Sequence, residues 1–267
     1  MEKISACLIV YNEEKLIRRC LESLYKVVDE IILVHDGECK DKTLEIAKEY
    51  GARIYIQPHV GGAEEYRPFS FEQASNNWIL QIDADEFLSI DLKNNLSKLV
   101  SSQQISAYDV LWPLWDGGKE SGATWPYKRC LFRKDKISFL GILQFVVAVS
   151  GKIEKTNFKL NHQPEYNNFS YYYFLKKQLP WAKLQASSYF KKFSEIKKFN
   201  WQDNEWSNKI IWRKKHPLLL MPLEFFITFF KNIFSGAYRA GWLGIKISMR
   251  AGLYRMAVNY YIYKLKK

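Results

Sequence analysis

The stretch WILQIDADEF, residues 78–87, runs from an apolar segment straight into three acids. Trp78, Ile79, Leu80 and Ile82 suit a buried strand, and Asp83, Asp85 and Glu86 stand where such a strand leaves its sheet. Side chains alternate along an extended backbone, so Asp83 and Asp85 are expected to point the same way. Two carboxylates converging from one strand end make a hard oxygen site suited to Mg2+ or Mn2+. Such an ion keeps waters and takes its remaining ligands from a diphosphate. The competing reading is local: Asp85 or Ser89 merely caps the helix suggested by SIDLKNNLSKLV (89–100). A bare Asp-x-Asp is common by chance, so its neighbours decide.

Working outward, SACLIV (5–10) is an apolar run of strand formers. Asn12 is predicted to cap a helix with Glu13 and Glu14 in its first turn, as the helix dipole prefers. Leu16, Ile17, Cys20, Leu21, Leu24 and Val28 supply that helix with one apolar face. EIILVHD (30–36) is a second strand, and a helix beginning at Asp41 stops at Gly51 in a C-cap position. ARIYIQ (52–57) is a third strand, followed by a loop with Gly61 and Gly62 and a helical segment near 64–76. This alternation predicts a mainly parallel sheet with helices on both faces, whose ligands bind outside the carboxyl ends of the strands. Those ends read Tyr11-Asn12-Glu13, His35-Asp36-Gly37 and Asp83-Ala84-Asp85, which favours a nucleotide crevice and the metal reading of the acids. YDVLW (108–112), RCLFRK (129–134) and ISFLGILQFVVAV (137–149) are predicted to extend the sheet and wall a cleft. From Tyr166 onward the pattern is helical, aromatic and basic. The expected division is an α/β nucleotide-binding domain over 1–165 and a helical region over 166–267.

The formal charge of +12 is localised, because residues 181–267 hold 17 Lys/Arg against 4 Asp/Glu. An anionic surface met by that segment, lipid or polynucleotide, is implied. HPLLLMPLEFFITFF (216–230) is interrupted by Pro222 and Glu224, which disfavours a membrane-spanning helix of ~20 apolar residues. RAGWLGIKISMRAGLYRMAVNYYIYKLKK (239–267) suits helices lying in a membrane interface, or a helical subdomain packed on the core with a solvated basic face. A nucleic-acid-binding protein would use the same cations and rings, but it leaves the strand-end acids without a purpose. A nucleotidyltransferase would need a glycine-rich phosphate loop that the first strand lacks. The amino terminus lacks a signal-peptide pattern, and Cys7, Cys20, Cys39 and Cys130 lack a disulfide or zinc spacing. Buried free thiols in a reducing cytosol are expected.

SACLIVYNEEKLIRRCLESL (5–24), DEIILVHDG (29–37), DKTLEIAKEYGARIY (41–55) and WILQIDADEFLS (78–89) together resemble the amino-terminal half of a family 2 glycosyltransferase with the GT-A fold. They are similar to bacterial enzymes that add sugars to lipopolysaccharide core or related surface glycans. The likeness continues through GATWPYKRCLFRKDKISFLG (122–141). It implies an inverting, metal-dependent transfer from a nucleoside diphosphate sugar to a glycan or glycolipid acceptor, at the inner face of the cell membrane. A catalytically altered homologue is the alternative. By the same resemblance Tyr11, Asn12 and Glu13 border the nucleobase and ribose, and Asp36 contacts the base unless it is a turn residue before Gly37. Asp83 meets the ribose and the metal, Asp85 binds the metal, and Arg67 lies near the pyrophosphate. Arg129 and Arg133 match the family's paired arginines, facing phosphates or snorkelling from an exposed strand. His162 is a late metal or phosphate ligand, or else a hydrogen-bonded structural histidine. Two positions depart from the family pattern. His35 replaces the first acid of the second-strand motif. Leu143 and Gln144 stand where a His-Glu pair supplies the general base, and a glutamine takes no proton at neutral pH. Asp116, Glu120 and Glu154 are the other acids considered for that role.

Overall fold

The computed structural model describes residues 2–121, 126–201 and 204–267. Residues 122–125 of the resembling stretch 122–141 fall outside them. Four parallel strands form the first half of the sheet: β1 (Ile4–Val10), β2 (Glu30–Asp36), β3 (Arg53–Gln57) and β4 (Trp78–Gln81), in the order β3-β2-β1-β4. Every residue of β1 is buried, as a strand covered on both faces requires. Ala6, Leu8 and Val10 pack to one side with Cys20, Leu21 and Leu24 of α1 (Ile17–Leu24). Cys7 packs to the other with Ile79 and Phe71, which belongs to α3 (Ala63–Gln73). Between β2 and β3 lies α2 (Thr43–Glu49), and beyond it Gly51 takes the left-handed φ of +70° expected at a helix C-terminus.

The first helix begins later than predicted. Asn12 has φ +52° and does not cap α1; the carbonyl of Glu13 accepts from the N–H groups of Leu16 and Ile17, and only then does the helix start. Asparagine tolerates the left-handed region, and its side chain has a better partner elsewhere. Its Oδ1 accepts from Lys40 N at 2.8 Å, tying the loop after β1 to the loop after β2.

After β4 come β5 (Glu86–Leu88), α4 (Ile90–Val100), β6 (Ile105–Leu111) and β7 (Tyr127–Arg133). The sheet is completed by β10 (Lys152–His162), and its full order is β3-β2-β1-β4-β7-β6-β10-β5. It stays mainly parallel, with β7 and β5 running against the rest. The apolar run 137–149 is not one strand. It splits into β8 (Ile137–Leu140) and β9 (Ala148–Val149), which join β11 (Lys198–Phe199) in a separate small sheet. Gly141 causes the break, since a Cβ there would sit 3.1–3.2 Å from the backbone of Lys197, Glu64 and Glu65.

The chain turns helical after β10: α5 (Tyr171–Tyr173), a π-helical turn (Phe174–Gln178), α6 (Leu179–Ser188), α7 (Asn204–Lys215), α8 (Pro217–Phe234) and α9 (Trp242–Lys266). Tyr254, Val258 and Ile262 of α9 share one apolar cluster with Ala182 and Ala186 of α6 and with Leu140 and Ile142. The expected boundary at 165/166 is therefore crossed by a common core. Pro222 and Glu224 were expected to interrupt the apolar run, yet both sit inside α8, which continues to Phe234. By length and composition alone α8 is sufficient to cross a membrane, and 11% of it is buried.

Candidate active site

The carboxyl ends of β1, β2 and β4 open on a cleft of about 570 Å³, with α3 on one side and the helices after β10 on the other. Tyr11, Asn12, Glu13, Asp36, Arg67, Asp83, Asp85 and His162 all line it.

The three acids of the opening stretch have three different situations. Extended geometry stops at Gln81, so Asp83 and Asp85 do not share a strand face as predicted. They lie in a tight turn in which Glu86 N donates to the Asp83 carbonyl and Asp83 N donates to Glu86 Oε2. Asp83 is committed to two cations, Oδ1 accepting from Arg67 Nη2 at 2.8 Å and Oδ2 from Lys128 Nζ at 2.7 Å. Burial alone would raise the Asp83 pKa; Lys128 and Arg67 overcome it and hold the group far below the usual carboxylate range. Glu86 is 1% exposed and accepts from Lys128 Nζ and Trp112 Nε1. Burial raises its pKa against the pull of Lys128, and Asp83 and Asp85 add to the rise. Glu86 thus anchors Lys128 under the cleft floor.

Asp85 stands outside this knot. Ser89 caps α4, its Oγ accepting from Leu92 N at 3.2 Å, so the capping reading of Asp85 is not what the chain does. Gln163 N donates to the Asp85 carbonyl at 2.9 Å and fixes the turn. The one side-chain partner of its carboxylate among the described residues is His162, Nε2 lying 3.4 Å from Oδ2. His162 is 3% exposed, stacks on Trp112 with ring centroids 4.0 Å apart, and has its Nδ1 buried without a partner. Among the described residues no group of three or more His, Cys, Asp or Glu side chains converges on a point. Asp85 with His162 is a carboxylate–imidazole pair, a donor set that fits a hard divalent ion whose other ligands are water and diphosphate. Arg67, 6% exposed, keeps Nη1 buried and unpaired among the described residues in the same wall.

At the other end of the cleft the Tyr11 ring lies 4.5 Å from that of His59. Asp36 accepts from Val60 N at 2.7 Å and Gly61 N at 2.9 Å, so its carboxylate closes the glycine loop. His35, in place of the family's acid, accepts the Asn12 N–H at Nε2 (3.3 Å), and its Nδ1 lies 2.8 Å from the Gly37 carbonyl, a pattern that sets the Nδ1–H tautomer. Gly37 has φ +102°, and a Cβ there would come 2.9 Å from His59 Cβ. The Glu13 carboxyl is pushed up to about 7 by burial first and by the nearby Asp85, with Lys177 opposing.

The paired arginines do not enter. Arg129 binds Asp109 and the Val147 carbonyl; Arg133 binds the carbonyls of Ile105 and Ser102 and lies over the Trp78 ring. Neither lines the cleft. Lys128, passed over in the sequence, lies beneath the floor instead, and a register shift in β7 between Arg129 and Leu131 keeps simple alternation from marking its face. Gln144 does reach the cleft, at φ +61°, and its N–H donates to Glu64 Oε1 at 3.3 Å. Glu64, in the first turn of α3, lines the same wall and escaped the sequence reading. Asp116 binds the N–H groups of Gly118 and Lys119, Glu120 pairs with Lys159, and Glu154 projects from β10; none of the three lines the cleft. Tyr166 and Tyr173 stack at 4.3 Å between Lys177 and Arg250, linking α9 to the cleft.

Comparisons with known proteins follow this geometry. The model of glycosyl transferase family 2 matches residues 5–174, a span that includes every strand end of the cleft. An uncharacterised glycosyltransferase of Rickettsia typhi is 34% identical over 145 residues, 52% of this chain and 49% of that protein. The lipopolysaccharide core biosynthesis glycosyltransferase LpsC of Rhizobium meliloti is 34% identical over 104 residues, 37% of each. The matched segments span half or less of these relatives. Among solved structures, glucosyl-3-phosphoglycerate synthase of Mycobacterium tuberculosis with Mg2+ and uridine diphosphate superposes at TM-score 0.36, with 24% identity over 42% of this chain and 44% of that one. The family match covers well over half of the sequence, and the chain belongs to glycosyl transferase family 2.

Proposed function

We propose that this protein is an inverting glycosyltransferase that moves a sugar from a nucleoside diphosphate sugar to a hydroxyl of a cell-surface glycan or glycolipid. Lipopolysaccharide core is the acceptor class suggested by the relative from Rhizobium meliloti. The observation that carries the reading is Asp85: an acid just beyond a parallel-strand end, facing a cleft, with a buried histidine beside it and no Lys or Arg paired with it among the described residues. In this reading Asp85 and His162 would hold Mn2+ or Mg2+, and the ion would supply charge neutralisation at the departing diphosphate. The unpaired Nη1 of Arg67 donates to the pyrophosphate, while Asp83 keeps Arg67 and Lys128 in place. The Tyr11 ring flanks the base, Asn12 and Glu13 border the ribose, and Asp36 acts through the glycine loop. Arg129 has no part in it.

Glu64 takes the place of the missing base. Its carboxylate sits against the backbone of Gln144, where the family's glutamate is absent, and it removes the proton from the acceptor hydroxyl. The acceptor oxygen bonds to the anomeric carbon as the bond to the diphosphate oxygen breaks on the opposite face. Calorimetric titration of nucleoside diphosphate sugars with Mn2+ tests the donor site. Wild type is expected to bind one of them in a metal-dependent way and Asp85→Ala to lose that dependence. Metal-independent binding by both proteins refutes the site.

A further inference from the structure

The last third of the chain presents an apolar surface that nothing among the described residues covers. Leu219, Leu223, Phe226, Ile227, Phe230 and Phe234 recur at helical spacing along α8, and each is 44–80% exposed. This spacing puts them on one stripe. The opposite side of α8 packs on α9, with Phe225 against Gly252 and Glu224 bound to Arg213 and Asn259.

We infer that α8 lies in the plane of an anionic lipid bilayer, with this ridge seated at the boundary between headgroups and acyl chains. The inference goes beyond the proposed function and does not depend on the chemistry in the cleft.

Two observations choose this occupant. The first is charge. Lys215, Arg239 and Lys246 flank the ridge in sequence and Lys231 lies within its span, and none has a carboxylate partner among the described residues. The same third of the chain holds 17 basic against 4 acidic residues. Cations around an apolar stripe match anionic headgroups around acyl chains. A second copy of the chain would bring the same cations face to face. Exposed Trp212 at one end of the helix, and Tyr238 and Trp242 beyond the other, are the side chains that favour the headgroup level.

The second observation is how α8 is attached. Eighteen residues rise ~27 Å, close to the ~30 Å hydrocarbon thickness, so length alone allows a span. Its neighbour does not. α9 carries Lys246, Arg250 and Arg255 along its first half and is fixed by Tyr254, Val258 and Ile262 to α6 beside the cleft. A span by α8 would drag this charged helix into the acyl region at heavy cost. Only the flank of α8 is free to meet lipid.

The test uses the full chain and two double variants, Phe226→Ser/Phe230→Ser and Leu223→Ser/Ile227→Ser. Flotation is measured on vesicles of phosphatidylcholine alone and of phosphatidylcholine with phosphatidylglycerol, alongside size-exclusion chromatography and the donor titration. Wild type is expected to float with the mixed vesicles, less so as salt rises, and poorly with neutral ones. Each double variant is expected to lose binding by roughly tenfold or more while remaining folded and keeping donor affinity. Equal flotation of wild type and variants, no flotation of wild type, or equal flotation on neutral vesicles overturns the inference. So does a wild-type dimer that the variants convert to monomer with vesicle binding unchanged, which would assign the ridge to a second copy. Loss of donor binding with flotation intact refutes the cleft reading and leaves this one standing.

Discussion

A half-buried lysine held between two carboxylates ties together the floor of this site. Lys128 Nζ touches Asp83 and Glu86, and burial, which would lower its pKa, is overcome by the two acids so that it stays charged. Lys128→Met leaves Glu86 buried without its cation and is expected to cost about 3–5 kcal/mol, read by urea unfolding. A loss within experimental error would mean the knot contributes nothing. Glu64→Gln is expected to lower kcat by roughly 10²–10⁴ with donor affinity unchanged; a variant as fast as wild type returns the base to an unknown group. At Glu13 the folded pKa, about 7, lies above the ordinary 4.5, so the folded chain holds that proton more tightly than the unfolded one. That stabilisation is complete below the unfolded value and disappears as pH rises through about 7. Glu13→Gln, which never ionises, should therefore melt above wild type at pH ~8 and level with it below pH ~5. A constant gap in melting temperature across that range refutes the shift. Asp85 and Tyr11 stand at strand ends, where such sheets gather ligands, whereas Arg67 on α3 entered only by resemblance to the family; all three line the cleft. Glu64 was not, because its neighbour Gln144 lies 80 residues away and no local pattern joins them.

Elements were legible where one period dominated. β2 spans the predicted residues 30–36, since its centre, Ile31 to Val34, is wholly apolar and mostly β-branched. Where a single residue had two uses, the reading slipped: Asn12 bonds across loops rather than capping, and Gly141 breaks an apolar run to let two backbones meet. The carboxyl-terminal hairpin shows the same physics at closer range. A Cβ on Gly244 would stand 1.8 Å from the Ala237 carbonyl oxygen, a contact with backbone that no rotamer relieves. Gly244→Ala is expected to lower stability by about 1–3 kcal/mol, the usual cost of overpacking, despite alanine's better helix propensity. A stabilised variant, measured by denaturant midpoint, would mean α9 does not approach the turn after α8 so closely.

At the scale of the whole molecule, composition located the positive charge but not how that third is joined to the rest. In sequence the basic region reads equally as interfacial helices or as a helical subdomain packed on the core, and the structure shows the packing: Tyr254, Val258 and Ile262 complete the cluster around Leu140, Ile142, Ala182 and Ala186. The layered Lys177, Tyr166, Tyr173 and Arg250 side chains run from the cleft wall into α9. Burying three such α9 side chains contributes roughly 5–9 kcal/mol at ~1.5–3 kcal/mol each, which is comparable to the whole stability of an ordinary domain, ~5–15 kcal/mol. The carboxyl-terminal helices are therefore a structural part of the cleft. The full chain is expected to unfold in one calorimetric transition, and a chain ending at residue 200 to lose cooperative unfolding or solubility. A shortened chain that melts cooperatively near the wild-type temperature, with donor binding intact, would show that the first 200 residues stand alone and that the shared cluster is dispensable.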